Sequence, residues 1–125
     1  MSVWTSTVRN KRRWEDVLSN QFVIVAQDKG KAAGFGTLDK GNYIDMFFID
    51  KDFQRQGIAR QIYIRLENEA KRLGTNEITS NVSKTARMFF EKMGFKVLKE
   101  QTVTLEGIDL NNYKMTKKLD EPLSF

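Results

Sequence analysis

Apolar and polar side chains alternate along this chain in two rhythms, one near every second residue and one near every third or fourth. From Asn10 to about Ser19 the rhythm is helical, with Trp14, Val17 and Leu18 on one side. Gln21–Ala26 (QFVIVA) is a short β-prone run, Asp28-Lys29-Gly30-Lys31 a turn, and Ala32–Leu38 the second arm of a hairpin. Gly34 and Gly36 are poor strand residues within that arm. After Asp39-Lys40-Gly41-Asn42 comes Tyr43–Ile49 (YIDMFFI), so uniformly apolar that both of its faces are expected to be covered.

A polar loop, Asp50-Lys51-Asp52-Phe53, leads into the strongest helical pattern, Gly57 to Leu73. There Ile58, Ile62, Leu66, Ala70 and Leu73 recur at three- and four-residue spacing, and Gly74 stands just past the end. Asn76–Val82 reads as a strand and Ser83 as the N-cap of a second helix carrying Ala86, Phe89, Phe90 and Met93, which stops at Gly94. Phe95–Leu105 and Asn111–Leu119 form a final antiparallel pair joined at Glu106-Gly107-Ile108-Asp109. The order predicts an α+β (α/β three-layer) domain on one mixed sheet, and 125 residues make residues 1–125 a single domain.

Composition narrows the chemistry. The chain has no Cys and no His, which excludes disulfides, thiolate or imidazole metal sites, cysteine nucleophiles and histidine-based triads. No metal site is expected, and proton transfer must run through Asp, Glu, Lys, Tyr or water. The 21 basic and 16 acidic residues leave a net charge of +5. That excess is either an ordinary lysine-rich surface or an attraction to a polyanion. Apart from Lys11-Arg12-Arg13 the basic residues are dispersed, which disfavours nucleic acid as a partner. No apolar run is long enough for a membrane span and the N-terminal residues lack a signal-peptide core, so the expected location is cytoplasmic.

The informative unit is a buried strand, a short loop and a glycine turn opening a helix: YIDMFFIDKDFQRQGIARQIYIRL. A helix N-terminus offers unpaired N–H groups and a positive dipole end, and Gly57 lets a ligand approach the backbone. Phosphate suits such a place. The GxxxxGK[ST] spacing of a Walker loop is absent.

Gln54-x-x-Gly57-x-Ala59, placed directly after a central strand, resembles the acyl-CoA-binding motif of the GNAT superfamily of N-acetyltransferases. A second motif, in the right order, is Asn81 followed by Ala86-Arg87-Met88-Phe89-Phe90-Glu91-Lys92-Met93-Gly94-Phe95. The resemblance covers roughly Phe22 to Leu119. It implies a mixed, mostly antiparallel sheet flanked by helices, with acetyl-CoA as co-substrate and an amine as acceptor.

Carried onto these residues, the resemblance implies that Gln54, Arg55, Gln56, Gly57, Ile58, Ala59 and Arg60 hold the CoA pyrophosphate. Phe48 and Ile49 pair through their main chain with the pantetheine arm, and a main-chain N–H near Phe47 or Phe48 serves the oxyanion. Asn81 hydrogen-bonds the pantetheine, Phe89 belongs to the cofactor site, and Lys92, with Lys84 or Arg87, reaches the ribose phosphate. Those three charges are equally well read as a solvated helix face. Asp45 is the candidate base for the acceptor ammonium, expected on the face of Tyr43 and Phe47; alternatively it is an Asp at the wet end of its strand or paired with a basic neighbour.

Two departures from the family pattern stand out. Where many relatives carry the Tyr that protonates the leaving thiolate, this chain has Phe90, which leaves water or Tyr113 for that role. The family's N-terminal strand and helix are also expected to be lacking. That would uncover a sheet edge and favour a homodimer. The function expected is transfer of an acetyl group to a primary amine by direct attack in a ternary complex, on a small-molecule or protein acceptor. The alternative is a catalytically impaired CoA-binding or protein-interaction module on the same fold.

Overall fold

The computed structural model describes residues 2–5, 21–53 and 57–119. The helical pattern of Asn10–Ser19 and the turn residues Gln54, Arg55 and Gln56 lie outside the described residues. The fold divides into two compact units, Met1–Thr75 and Asn76–Phe125.

In the first unit four strands form an antiparallel meander: β1 (Ser2–Thr5), β2 (Gln21–Asp28), β3 (Lys31–Asp39) and β4 (Tyr43–Ile49). A 3-10 turn, Lys51–Phe53, follows, and then helix α1 (Ile58–Arg72). β2, β3 and β4 each extend or match the runs read from the sequence. β1 is a correction: a strand was expected to be missing here, yet Ser2–Thr5 pairs antiparallel with β2 along Thr5↔Ile24 to Ser2↔Gln27. Its four residues are too few to show a period, so only the pairing reveals it. With β1 alongside, the edge of β2 that motivated a dimer is occupied.

Helix α1 lies on the face of the meander that carries Gly36. A Cβ built there would stand 2.8 Å from Ile62 Cγ2, 3.0 Å from Leu66 Cδ1 and 3.2 Å from Phe47 Cδ2. The missing side chain is therefore what lets the helix close on the sheet. Ile58, Ile62, Leu66 and Ala70 are buried, as their spacing predicts, with Ile24, Leu38 and Ile44 beneath. Leu73, placed on the same stripe, is instead half exposed at the helix end. There the Gly74 N–H donates to the Lys71 carbonyl and the Thr75 N–H to the Ala70 carbonyl, closing a Schellman motif.

The second unit holds β5 (Glu77–Ser83), α2 (Lys84–Lys92), β6 (Lys96–Leu105) and β7 (Ile108–Lys118). β7 pairs antiparallel with both β5 and β6. The Ser83 side chain accepts from the Ala86 N–H at 3.1 Å, the N-cap expected of it. One face of this unit buries Ile78, Ser80, Val82, Tyr113 and Met115. Phe90 is buried too, edge-on to Phe89 at 5.6 Å and to Phe95 at 5.1 Å between ring centroids.

The apolar run of β4 is not all core, contrary to expectation. Only Ile44 is buried, and Phe48 is 53% exposed. An apolar run marks where water is unwelcome, but it does not say whether protein or a ligand excludes it.

If Gly36 sets the helix–sheet distance, Gly36→Val should destabilise the protein by about 1–3 kcal/mol through overpacking. Urea denaturation should show a lower midpoint with an unchanged m-value.

Candidate functional site

The bulge in β4 decides how its side chains face. Leu38 pairs with Ile44 and Gly36 with Phe47, so a single β3 residue, Thr37, faces both Asp45 and Met46. Thr37 is fully buried, and its hydroxyl oxygen accepts the Met46 N–H at 3.0 Å. This pins the extra residue in place. As a result Phe47 turns to the α1 face beside Gly36, while Asp45 stays on the opposite face with Tyr43. The expectation that Asp45 and Phe47 share a face is corrected by this one inserted residue.

Asp45 is exposed, and its carboxylate accepts a hydrogen bond from Gln21 Nε2 at 2.8 Å. Gln21 stands on β2, in the row Gln21–Asp39–Tyr43, so its amide crosses over β3 to reach β4. Among the described residues Asp45 enters no ion pair.

Beyond β4 the loop is held by its own polar groups. The Asp50 N–H donates to the Ala33 carbonyl at 2.8 Å, and the Asp52 N–H to Asp50 Oδ1 at 2.9 Å. Gly57 then adopts the left-handed region (φ 77, ψ 6) and opens α1 with no side-chain cap. The first turn contains no acid, and Arg60 is exposed there. A Cβ at Gly57 would meet nothing within 4 Å among the described residues. N–H groups with no side-chain cap among the described residues, a positive dipole end and an exposed guanidinium are the features that suit an anion. Ile58 contributes only its backbone, because its side chain is core. Phe48, exposed on β4, lies against Phe35 at 5.9 Å between centroids. Ile49 is half-buried.

In the second unit Asn81 and Tyr113 point to opposite faces of the sheet, since Asn81 pairs with Lys114 and Tyr113 with Val82. Asn81 is exposed and accepts from Gln101 Nε2 at 3.2 Å. Tyr113 is buried on the α2 side, with the Arg87 guanidinium over its ring at 4.7 Å. Phe89 is half-buried on α2 and Lys92 exposed in its last turn. The Gln21–Asp45 bond was not legible beforehand, because nothing in the sequence links two positions 24 residues apart.

Two other features are structural. The Tyr63 hydroxyl donates to Glu67 Oε1 at 2.6 Å, and burial together with that carboxylate pushes the phenol above its ordinary range. Tyr63 therefore stays protonated and is no base. A groove of about 540 Å³ beside α1 is lined by Phe22, Ile24, Ile64, Arg65 and Arg72. Arg72 there is already held by Glu69 at 2.8 Å, and the same contact keeps the Glu69 carboxyl below its usual range. None of the predicted site residues lines this groove, so β4 and the start of α1 are the better candidate.

Comparison with known proteins identifies the family. A family model described as an acetyltransferase (GNAT) domain matches residues 1–117. The chain belongs to the GNAT acetyltransferase family. An uncharacterised N-acetyltransferase of Escherichia coli K12, YafP, is 31% identical to this GNAT domain over 118 residues, which cover 94% of the chain and 73% of the relative. The crystal structure of a GCN5-related N-acetyltransferase from Rhodopseudomonas palustris matches with a TM-score of 0.77 and 31% identity. That match covers 82% of this chain and 64% of the other, so the chain spans just under two thirds of that structure. A GNAT family acetyltransferase from Elizabethkingia anophelis with acetyl-CoA bound matches with a TM-score of 0.70 over 94% of this chain and 97% of that one. At 15% identity this last likeness is one of fold. The expected GNAT-like α+β fold is the observed one. No described helix is long and apolar enough to cross a membrane.

At Gly57 the conformation and the open space separate two costs. Gly57→Ala should cost about 1 kcal/mol, from the left-handed backbone alone and without a clash. Thermal unfolding of the purified variant checks this: a much larger loss would mean that the side chain meets something.

Proposed function

We propose that this protein is an acetyl-CoA-dependent N-acetyltransferase acting on a primary amine by direct attack in a ternary complex. The observation that carries this reading is the uncapped, acid-free start of α1 at Gly57, directly after an apolar strand whose Phe48 is left exposed. A pyrophosphate fits the first feature and an extended acyl-pantetheine arm the second. The backbone from Arg55 to Arg60, with Gln54, would hold the pyrophosphate, and the main chain of Phe48 and Ile49 would pair with the pantetheine. On the family pattern Asn81, Phe89 and Lys92 serve the same co-substrate. Acetyl-CoA bound to a structural neighbour is in keeping with this choice.

The acceptor arrives as an ammonium and must lose a proton before its nitrogen can attack. Asp45 takes that proton, directly or through one water. The nitrogen then bonds to the thioester carbon, and a β4 main-chain N–H near Phe47 or Phe48 steadies the oxygen as it becomes an anion. The attacking nitrogen gives up its second proton to water as the carbon–sulfur bond breaks, and the thiolate leaves as such or takes a proton from water or Tyr113.

A second reading is favoured by Phe90. It occupies the position of the family's proton-donating Tyr and is packed into the core between Phe89 and Phe95. On that reading the fold binds CoA or a protein without turning over.

Calorimetric titration with acetyl-CoA should show one site per chain near micromolar affinity. Gly57→Glu should abolish it while losing no more stability than Gly57→Ala; retained affinity removes the pyrophosphate seat from Gly57. In an amine-panel assay Asp45→Asn should lower kcat by about 10²-fold or more with acetyl-CoA affinity intact. Unchanged turnover removes Asp45 as the base. Tight acetyl-CoA binding with no transfer to any amine would establish the second reading.

A further inference from the structure

The Gln21 amide is satisfied at one end only. Its Nε2 donates to Asp45 at 2.8 Å, while its Oε1 is buried with no hydrogen-bond partner among the described residues. Buried polar atoms are nearly always paired, so an orphaned carbonyl oxygen needs an explanation. An apolar side chain of the same length would remove the burden of the unpaired oxygen and lose only one exposed hydrogen bond. On stability alone, Gln is a poor choice at this position.

What Gln supplies that an apolar residue does not is a neutral donor aimed at Asp45 from two strands away. A neutral donor orients the carboxylate without cancelling its charge, as a Lys or Arg would. The bond engages Oδ2, so among the described residues Oδ1 is the oxygen that would receive the proton. The bulge fixes where the Asp45 backbone stands, and the Gln21 amide fixes which way the carboxylate turns.

We propose that Gln21 is a positioning residue for Asp45, kept at a cost in stability because its amide holds the carboxylate turned toward the acceptor amine. This rests on the reading of Asp45 as the base. The role differs from a structural one in a measurable way: stability and turnover move in opposite directions when the amide is removed.

The test uses the full chain, with Gln21→Met as the main variant and Gln21→Leu as a second apolar replacement. Acetyl transfer is followed with the best acceptor found in a panel of alkyl primary amines. The proposal expects Tm to hold or rise in at least one variant while kcat falls about 10-fold or more and the KM for acetyl-CoA stays put. It also expects non-additivity: in an Asp45→Asn background, replacing Gln21 should change kcat no further. If Asp45→Asn lowers kcat but neither Gln21 variant does, the positioning role is wrong and Asp45 stands. If both Gln21 variants lose cooperative unfolding, or their effect on kcat persists in the Asp45→Asn background, Gln21 is structural and the proposal falls. If Asp45→Asn itself leaves kcat unchanged, the reading of Asp45 as base has failed, and the positioning proposal with it.

Discussion

The close seating of α1 on a glycine floor is the constraint on which the first unit depends. Ile62 and Leu66 stand where a Gly36 side chain would be, so the helix axis comes nearer to β3 than any larger residue would allow. The buried stripe Ile58, Ile62, Leu66 and Ala70 then fixes the helix about its own axis. A helix so fixed also has a fixed N-terminus. The N–H groups that open α1 therefore hold their place relative to β4, whose end is tied to β3 by the bond from the Asp50 N–H to the Ala33 carbonyl. The proposed anion seat would be useful only if preorganised, and ordinary core packing supplies that organisation.

The second constraint is the bulge. One extra residue opposite Thr37 rotates Phe47 toward the helix and leaves Asp45 outside, where Gln21 can reach it. A regular strand would have kept Asp45 and Phe47 in line, both on one face. The Thr37 hydroxyl makes the irregularity a fixed feature, because it satisfies the Met46 N–H where the ladder departs from regular pairing. Bulges of this kind commonly re-aim a side chain beside a site. Here the residue re-aimed is the acid that the proposed chemistry needs.

What could be read from the sequence follows from how local each signal is. Both helices were legible because stripe, N-cap and terminal glycine lie within a few residues of one another, as at Ser83 and Gly74. The hairpin turns at Lys29-Gly30 and Glu106-Gly107 were legible for the same reason. The two family motifs were legible because they too are contiguous, and the family match extends over residues 1–117. The bulge was hidden because its cause is a hydroxyl on the neighbouring strand. The Gln21–Asp45 bond was hidden because it spans three strands, and β1 because four residues carry no period. The exposure of Phe48 was misread because an apolar side chain looks the same in sequence whether a core or a ligand is to cover it.

Magnitudes indicate which of the two proton transfers matters more. An alkyl ammonium resembling lysine has a pKa of about 10.4, roughly 3.4 units above neutrality, so freeing its lone pair at pH 7 costs about 4.6 kcal/mol. A thiol resembling cysteine has a pKa of about 8.5, so letting the thiolate leave unprotonated forfeits only about 2 kcal/mol. Deprotonating the nucleophile is thus the larger demand, and losing the tyrosine hydroxyl at Phe90 is the smaller handicap. On these figures a GNAT domain without the acid gives up roughly 30-fold, whereas one without a base faces a deficit of roughly 2,500-fold. The pair proposed for the larger demand is Asp45 with Gln21, and the position given over to packing is Phe90, flanked by Phe89 and Phe95. With Asp45 as the proposed base, that division is the one expected of a working transferase more than of a relic, because the costly step has a residue for it and the cheap one does not.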